Sequence, residues 1–466
     1  MLATKPRGLL SQAESLVEAA KILQHLDGNG TQPTPEQRSM LQRFPGWGPC
    51  ALHLFPDPIT GNYRTGRWQG LGETLQRLLS REEYASAKRA TFSAFYTSPL
   101  VIRAMFEALR HLGIPQQVTA LEPGCGTGNF MALAPDEMHF LGVEMDMLSG
   151  RIAQALYPQH DIRIEDFADT HVPEASADVV LGNPPFSDLK VYWRQSLSLH
   201  EFFIAKALEA LKPGGVLAFV ITHYLLDRQS PAFRESLAEQ ADFLGAIRLP
   251  STAFAEQGTR VVTDLLFLAK RAPGVAARHV DPSWLTAAPM MIEEVAVPVS
   301  CYFRQHPEMV LGTWTRQDRL YGAEAGYSLV ANGDLEGQLA AAIARLPAGI
   351  FHVAPSLPMS VTTNGTTPHA PTLPQGLTEG SFFIDGATLA ILQVQHGEAV
   401  PVHQSGRPLQ ADGSLLGKRM ADLIRLRDSA RYVLDVQNTG KQPAVRAQAR
   451  QQLTTDYEAF VATYGP

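Results

Sequence analysis

Cysteine is scarce in this 466-residue chain, which has only Cys50, Cys125 and Cys301. None belongs to a C-x-x-C pair or has a histidine at ligand spacing, so neither a disulfide framework nor a structural zinc is implied, and no metal site is expected. Long apolar runs are missing as well. No segment approaches the length of a membrane span, and the N-terminal stretch MLATKPRGLLSQAESL lacks the apolar core of a secretory signal. The expectation is a cytoplasmic protein with no membrane partner. Positive charge is also short, with 39 Lys and Arg against 46 Asp and Glu and a formal net charge of −7. A uniformly basic binder of polyanions is thereby excluded, and only a local patch could face one.

What the chain does have is core. With 45% hydrophobic and 18% charged residues, 50.9 kDa is enough for two or three packed domains. Residues 1–90 carry apolar positions at helical spacing in LLSQAESLVEAAKILQHL and TLQRLLSREEYASAKRA, on either side of a Gly/Trp/Pro-rich break, FPGWGPCALHLFPDP. This predicts a helical accessory region. Over 91–271 short apolar runs alternate with helical stretches: VTALEPG, HFLGVEM, IRIEDF, ADVVLGN, GVLAFVIT, FLGAIRLP and TDLLFLAKR. Such alternation predicts an α/β core, a mostly parallel sheet with helices on both faces and ligands at the C-terminal ends of its strands. From 272 to 466 the pattern loosens into mixed and helical segments, with a Pro/Thr/Asn-rich linker expected near 355–376. Residues 407–450 hold nine Lys/Arg against four Asp, an excess that suits either phosphates or a solvated helix face.

The first apolar run ends in LEPGCGTGNF, a strand entering a Gly-rich turn. Gly124, Gly126 and Gly128 let the backbone turn tightly and approach a ligand, while Glu122, before Pro123, would repel a diphosphate and suit a cation. The second run ends in Glu144, about twenty residues on, where an acid can hold both hydroxyls of a ribose. The third ends in Asp166-Phe167, an acceptor and a ring for an adenine. Together they fit a nucleoside with a positively charged amino-acid tail, which is S-adenosylmethionine.

The fourth run ends in Asn183-Pro184-Pro185-Phe186. The lone pair of an exocyclic amino nitrogen is delocalised into its ring and is a poor nucleophile. Two hydrogen-bond acceptors, the Asn183 side chain and the Pro184 carbonyl, would favour tetrahedral character at that nitrogen. The prolines would fix the backbone, and Phe186 would offer a face for stacking. The stretch reads as a rigid clamp for a planar amino or amide group.

These segments, in this order, resemble motifs I to IV of S-adenosylmethionine-dependent amino methyltransferases of DNA, whose fold is a Rossmann-like seven-stranded sheet. AFYTSPLVIRAMFEAL resembles motif X, with Tyr96, Thr97 and Pro99 flanking the methionine end of the cofactor. Motif X ahead of I and IV is the order of the gamma class of N6-adenine methyltransferases, which implies a target-recognition region after the catalytic core. RLPSTAFAEQGTRVVTDLLFLAKR is similar to motif VIII, making Phe254 the candidate second wall around a flipped-out base. Stacking on an aromatic returns about 1–3 kcal/mol against a flipping cost of a few kcal/mol. Nearly the whole chain resembles the amino-terminal part of large phage and plasmid methyltransferase–helicase proteins, which implies a helicase region or partner beyond Gly465-Pro466. Many of those proteins lack a proline at the second clamp position. The full Asn-Pro-Pro-Phe here implies an active enzyme.

The resemblance thus implies an adenine-specific DNA methyltransferase, with Arg425, Arg427 and Arg431 as candidate phosphate contacts. The clamp itself leaves cytosine N4, guanine N2 of RNA and protein glutamine open as targets, and a non-catalytic DNA-binding scaffold is the reading from another class. Methylation at cytosine carbon 5 needs a Pro-Cys nucleophile, and only Cys50 follows a proline, far from the core.

Overall fold

All seven apolar runs are strands of one sheet in the computed structural model: β1 (Thr119–Pro123), β2 (His139–Glu144), β3 (Asp161–Ile164), β4 (Ala177–Gly182), β5 (Leu211–Thr222), β6 (Ala241–Leu249) and β7 (Thr263–Lys270). The structure describes residues 8–351 except 58–59, 64–65, 91–96, 187–188, 194, 255–260 and 317–325. Beyond these it describes 377, 380–385, 389–395, 398–404, 407–411, 415–438 and 443–464. The linker expected near 355–376 and the terminal Gly465-Pro466 lie outside the described residues.

The strands lie in the order β3-β2-β1-β4-β5-β7-β6, parallel except for β7, which runs antiparallel to both neighbours. The central strands are buried on both faces, which is why they read as continuous apolar runs instead of alternating ones. The exception in β4 is Asp178, held by the Lys212 ammonium at 2.7 Å and the Thr119 N–H at 2.9 Å. Order reverses between β1 and β4, so a crevice opens past their C-terminal ends.

The N-terminal region forms α1 (Leu9–Asn29), α2 (Pro35–Gln42), α3 (Gly48–Leu54), α4 (Arg67–Leu78) and α5 (Arg81–Ala90). Helix α3 corrects the sequence reading, which took FPGWGPCALHLFPDP as a break. A proline in the first helical turn forfeits no intrahelical hydrogen bond, so CALHL continues helical behind it. The core adds α6 (Pro99–His111), α7 (Met147–Leu156) and α8 (Leu199–Ala210). Asp146 caps α7 by accepting from the Ser149 N–H, and Ser198 with Glu201 closes a capping box on α8. No helix among the described residues is long and apolar enough to cross a membrane.

The chain divides into two compact units, Met1–Ser356 and Leu357–Pro466. The boundaries expected at 90 and 271 therefore fall inside the first unit, and packing explains both. Trp47 and Ser86 hydrogen-bond to Asp146, joining the N-terminal helices to the loop after β2. Phe243 of β6 stacks on Trp284 at 4.8 Å with 5° between the rings. Arg248 of β6 sits fully buried in a polar knot with Asp264 of β7, Asp227 and Tyr327. In the second unit Phe382–Ile384, Ile391–Gln395 and Glu398–Pro401 make an antiparallel sheet. Helices Leu415–Asn438 and Pro443–Tyr464 pack through Val433, Val436 and Ala449.

Candidate active site

A cavity of about 700 Å³ occupies the crevice past β1 to β4. Its wall takes Glu122, Gly124 and Gly126 from the turn after β1, Glu144 and Asp146 from the end of β2, and Asp166 and Phe167 from the end of β3. Asn183, Pro185 and Phe186 come from the end of β4, and Leu199, Phe202 and Phe203 from α8.

The turn after β1 is built around backbone pairing with β2. Gly124 and Cys125 both donate to the Val143 carbonyl, at 2.7 and 3.0 Å. Gly124 has φ 77°, and a Cβ there would lie 3.7 Å from Pro185 Cδ, so turn and clamp are in van der Waals reach. Glu144 is gripped on both oxygens, by the Gly126 N–H at 2.8 Å and the Asp146 N–H at 2.7 Å. These bonds fix the carboxylate in orientation, and each oxygen keeps a lone pair for a hydroxyl.

Glu122 is buried, and its Oε2 has no hydrogen-bond partner among the described residues. Burial raises its pKa well above the usual carboxylate range, with the Glu144 charge adding in the same sense. Surrounding protein lifts Glu144 to about 7, the Asp146 charge helps, and the gripping N–H groups oppose. Two crowded acids, one of them orphaned, fit a ligand that brings positive charge and hydroxyl donors.

On the opposite wall, Asp166 is exposed to the cavity and accepts from the Ala168 N–H at 2.8 Å through Oδ1. Phe167 is buried against Phe203, ring centroids 5.1 Å apart. At the clamp, Asn183 is half-buried and Pro184 buried, and Phe186 meets His200 edge-on at 5.2 Å. Gly182, with φ 149°, leads into the clamp, where a Cβ would come within 3.4 Å of Glu122 Cγ.

Residues 103–240 match the Methyltransferase small domain family. The core is an S-adenosylmethionine-dependent methyltransferase domain. The chain is 29% identical over 195 residues to the Defense against restriction protein B of Escherichia phage P1, covering 40% of this chain and 9% of that protein. It is 25% identical over 200 residues to the Modification methylase CviBIII of Paramecium bursaria Chlorella virus NC1A, covering 40% of this chain and 52% of the methylase. The chain thus spans about half or less of the length of these relatives. Among solved structures, the type I restriction-modification system methyltransferase subunit from Streptococcus thermophilus is 17% identical, with a TM-score of 0.36 over 66% of this chain and 74% of that one.

In this methyltransferase domain Thr97 lines the cavity and is buried, while Tyr96 lies outside the described residues. Pro99 opens α6, and Pro123 and Gly128 are buried behind the cavity wall without lining it. Phe254 is 1% exposed within the hydrophobic core and does not line the cavity. The candidate phosphate contacts belong to the second unit. Arg425 pairs with Asp422 at 2.9 Å, Arg427 with Asp428, and Arg431 is exposed. Sequence reasoning missed Ser86 and Arg89 of α5 in the cavity wall, and Trp47, whose indole N–H bonds Asp146 at 2.8 Å. Only the tryptophan inside a Gly/Pro-rich stretch hinted at burial there. The hairpin of Lys190–Trp193 and Gln195–Ser198, which brings Lys190 and Val191 to the cavity, had no alternating pattern to announce it.

The acids of the methyltransferase domain give a pH dependence of definite sign. Glu144 takes up a proton more readily in the folded chain, at about 7, than at its ordinary 4.5. The folded state therefore binds more protons in that window, and the domain alone loses this group's contribution as pH rises through it. A ligand that needs the ionised acid shows the reverse. Thermal stabilisation by S-adenosylhomocysteine is expected to shrink as pH falls from 8 to 6, as read by melting curves with and without ligand. A constant ligand-induced shift over that range would refute the role of Glu144.

Proposed function

We propose that the domain transfers a methyl group from S-adenosylmethionine to the N6 amino group of an adenine in DNA, with the base flipped out of its stack. The observation that carries the reading is that Asn183 and Phe186 border the same cavity as Glu144 and Asp166, so a clamp for an amino group and a nucleoside site share one space. The fit of the cofactor rests on Glu122 and Glu144, which want positive charge and hydroxyl donors, and on the glycine turn that leaves room for them. Bound there, S-adenosylmethionine supplies an electrophilic methyl group on a sulfonium.

The chain's own residues do the rest. Glu144 holds the ribose hydroxyls, Asp166 accepts from the adenine amino group of the cofactor, and Glu122 offsets positive charge beside the turn. Asn183 Oδ1 and the Pro184 carbonyl accept hydrogen bonds from the target amino group and localise its lone pair. Phe186 stacks on the target ring, contributing about 1–3 kcal/mol. The second unit, through Arg431 and its neighbours Arg425 and Arg427, supplies phosphate contacts that position DNA without reading its sequence. The names of two relatives, a defence-against-restriction protein and a modification methylase, support a role in DNA modification and its evasion.

The test is tritiated-methyl transfer to duplex and single-stranded DNA, followed by nucleoside analysis. Label in N6-methyl-2′-deoxyadenosine is the expected result. Label in N4-methyl-2′-deoxycytidine, or no label in DNA but label in guanine of RNA or glutamine of protein offered in parallel reactions, would overturn the target assignment while leaving the clamp chemistry intact.

A further inference from the structure

Lys206 lies one turn beyond Phe202 and Phe203 on α8, outside every motif of the sequence. Its ammonium donates to three backbone carbonyls of a single loop, those of Phe167, of Ala168 at 3.1 Å and of Thr170 at 2.8 Å. It also lies 4.8 Å from the centroid of the Phe167 ring. The same loop is tied from within, because the Asp166 carbonyl accepts from the N–H groups of Asp169 and Thr170 and from the Thr170 hydroxyl. With the carbonyls of 166, 167, 168 and 170 turned onto α8 or into its own turn, the loop lines the cavity through side chains, among them the Asp166 carboxylate and the Phe167 ring. An acceptor at that place selects a ligand carrying an N–H donor.

We propose that Lys206 is a positioning residue that sets purine specificity at the cofactor end of the cavity: it draws the carbonyls of 167–170 onto α8 and leaves Asp166 as the acceptor for an exocyclic amino group. The chemistry selected is a 6-aminopurine over a 6-oxopurine, since a 6-oxo group would set oxygen against carboxylate. Burial lowers the Lys206 pKa, and Asp166, Asp169, Glu209 and Glu165 pull it back up, so the cation stands among the charges it must hold in place. This inference rests on the reading of the cavity as an S-adenosylmethionine site and names the residue behind its selectivity.

The experiment is calorimetric titration of the full chain with S-adenosylhomocysteine and with S-inosylhomocysteine, in which oxygen replaces the amino group. Wild-type protein is expected to bind the first and discriminate against the second. In K206M, affinity for S-adenosylhomocysteine should fall roughly tenfold or more and the preference should narrow, because several charge-assisted bonds ordering the acceptor are lost together. In methyl transfer the change should fall on KM for S-adenosylmethionine rather than on kcat, and K206R should restore part of the preference. Failure of the wild-type chain to bind S-adenosylhomocysteine would refute the cofactor reading itself. Binding by wild type with unchanged affinity and preference in K206M would refute the role of Lys206. Unfolding of both K206M and K206Q would do the same, since it would make Lys206 a structural residue of the core.

Discussion

Asn183→Ala is expected to hold S-adenosylhomocysteine within a few-fold of the wild-type affinity while single-turnover methyl transfer falls roughly 100- to 1000-fold, the range for removing one preorganised hydrogen-bonding group that acts on developing charge. On the proposed reading, the cofactor's contacts are with the glycine turn, Glu144 and Asp166 at the ends of β1, β2 and β3, whereas Asn183 comes from β4, so the variant should keep most of them. What disappears is the side-chain acceptor for the target amino group, leaving the Pro184 carbonyl to work alone. Neighbouring geometry should survive, because the prolines and the packing of Phe186 on His200 hold the loop. Wild-type rates in single turnover would sink the clamp, and a parallel collapse of cofactor affinity would move Asn183 into the cofactor site.

The second large effect is on stability. Arg248→Met should destabilise the first unit by about 3–5 kcal/mol, the cost of removing one partner from a buried ion pair. Arg248 meets Asp264 through two parallel bonds, Nε at 2.7 Å and Nη2 at 2.8 Å, and its Nη1 reaches Asp227 at 3.1 Å and the Tyr327 hydroxyl at 2.7 Å. Its guanidinium also lies 4.1 Å from the centroid of Phe303. Methionine fills much of the volume and leaves two carboxylates in the core without their cation. Burial already lifts Asp264 to about 6 in the presence of the arginine, so without it the acid is held neutral at the expense of the fold. Combining Arg248→Met with Asp264→Asn should cost less than the sum of the single changes, as urea melts of the cycle would show. A loss under about 1 kcal/mol for Arg248→Met would contradict the burial of the network.

The sheet was legible because its strands are apolar on both faces and each is followed by a turn signal. The placement of the strand-end residues was legible for the same reason: Glu122, Glu144, Asp166 and Asn183 stand just where apolar runs stop, and a parallel sheet brings such ends to one cavity. Ser86 in the cavity wall, Trp47 behind Asp146 and Lys206 on the loop after β3 were not legible, since each comes from an element whose docking no local pattern encodes. The boundaries expected at 90 and 271 fall inside the first compact unit because a change of periodicity marks where the α/β alternation stops, not where packing stops. Arg248 and Tyr327, joined by a hydrogen bond in the core, lie on opposite sides of the expected boundary at 271. Phe254 shows the converse, a residue with the right neighbours in sequence that the fold turns into the hydrophobic interior.

The bond from the Trp47 indole to Asp146 has an optical consequence. Trp47 is fully buried, and its N–H points at the carboxylate of Asp146, two residues from Glu144 in the cavity wall. Its emission should therefore respond to the charge and hydration around Asp146, a residue of the cavity wall, as one signal among the chain's five tryptophans. Entry of a cationic nucleoside should change the emission of the unlabelled protein, and Trp47→Phe, which keeps the chain's four other tryptophans, should lose that change.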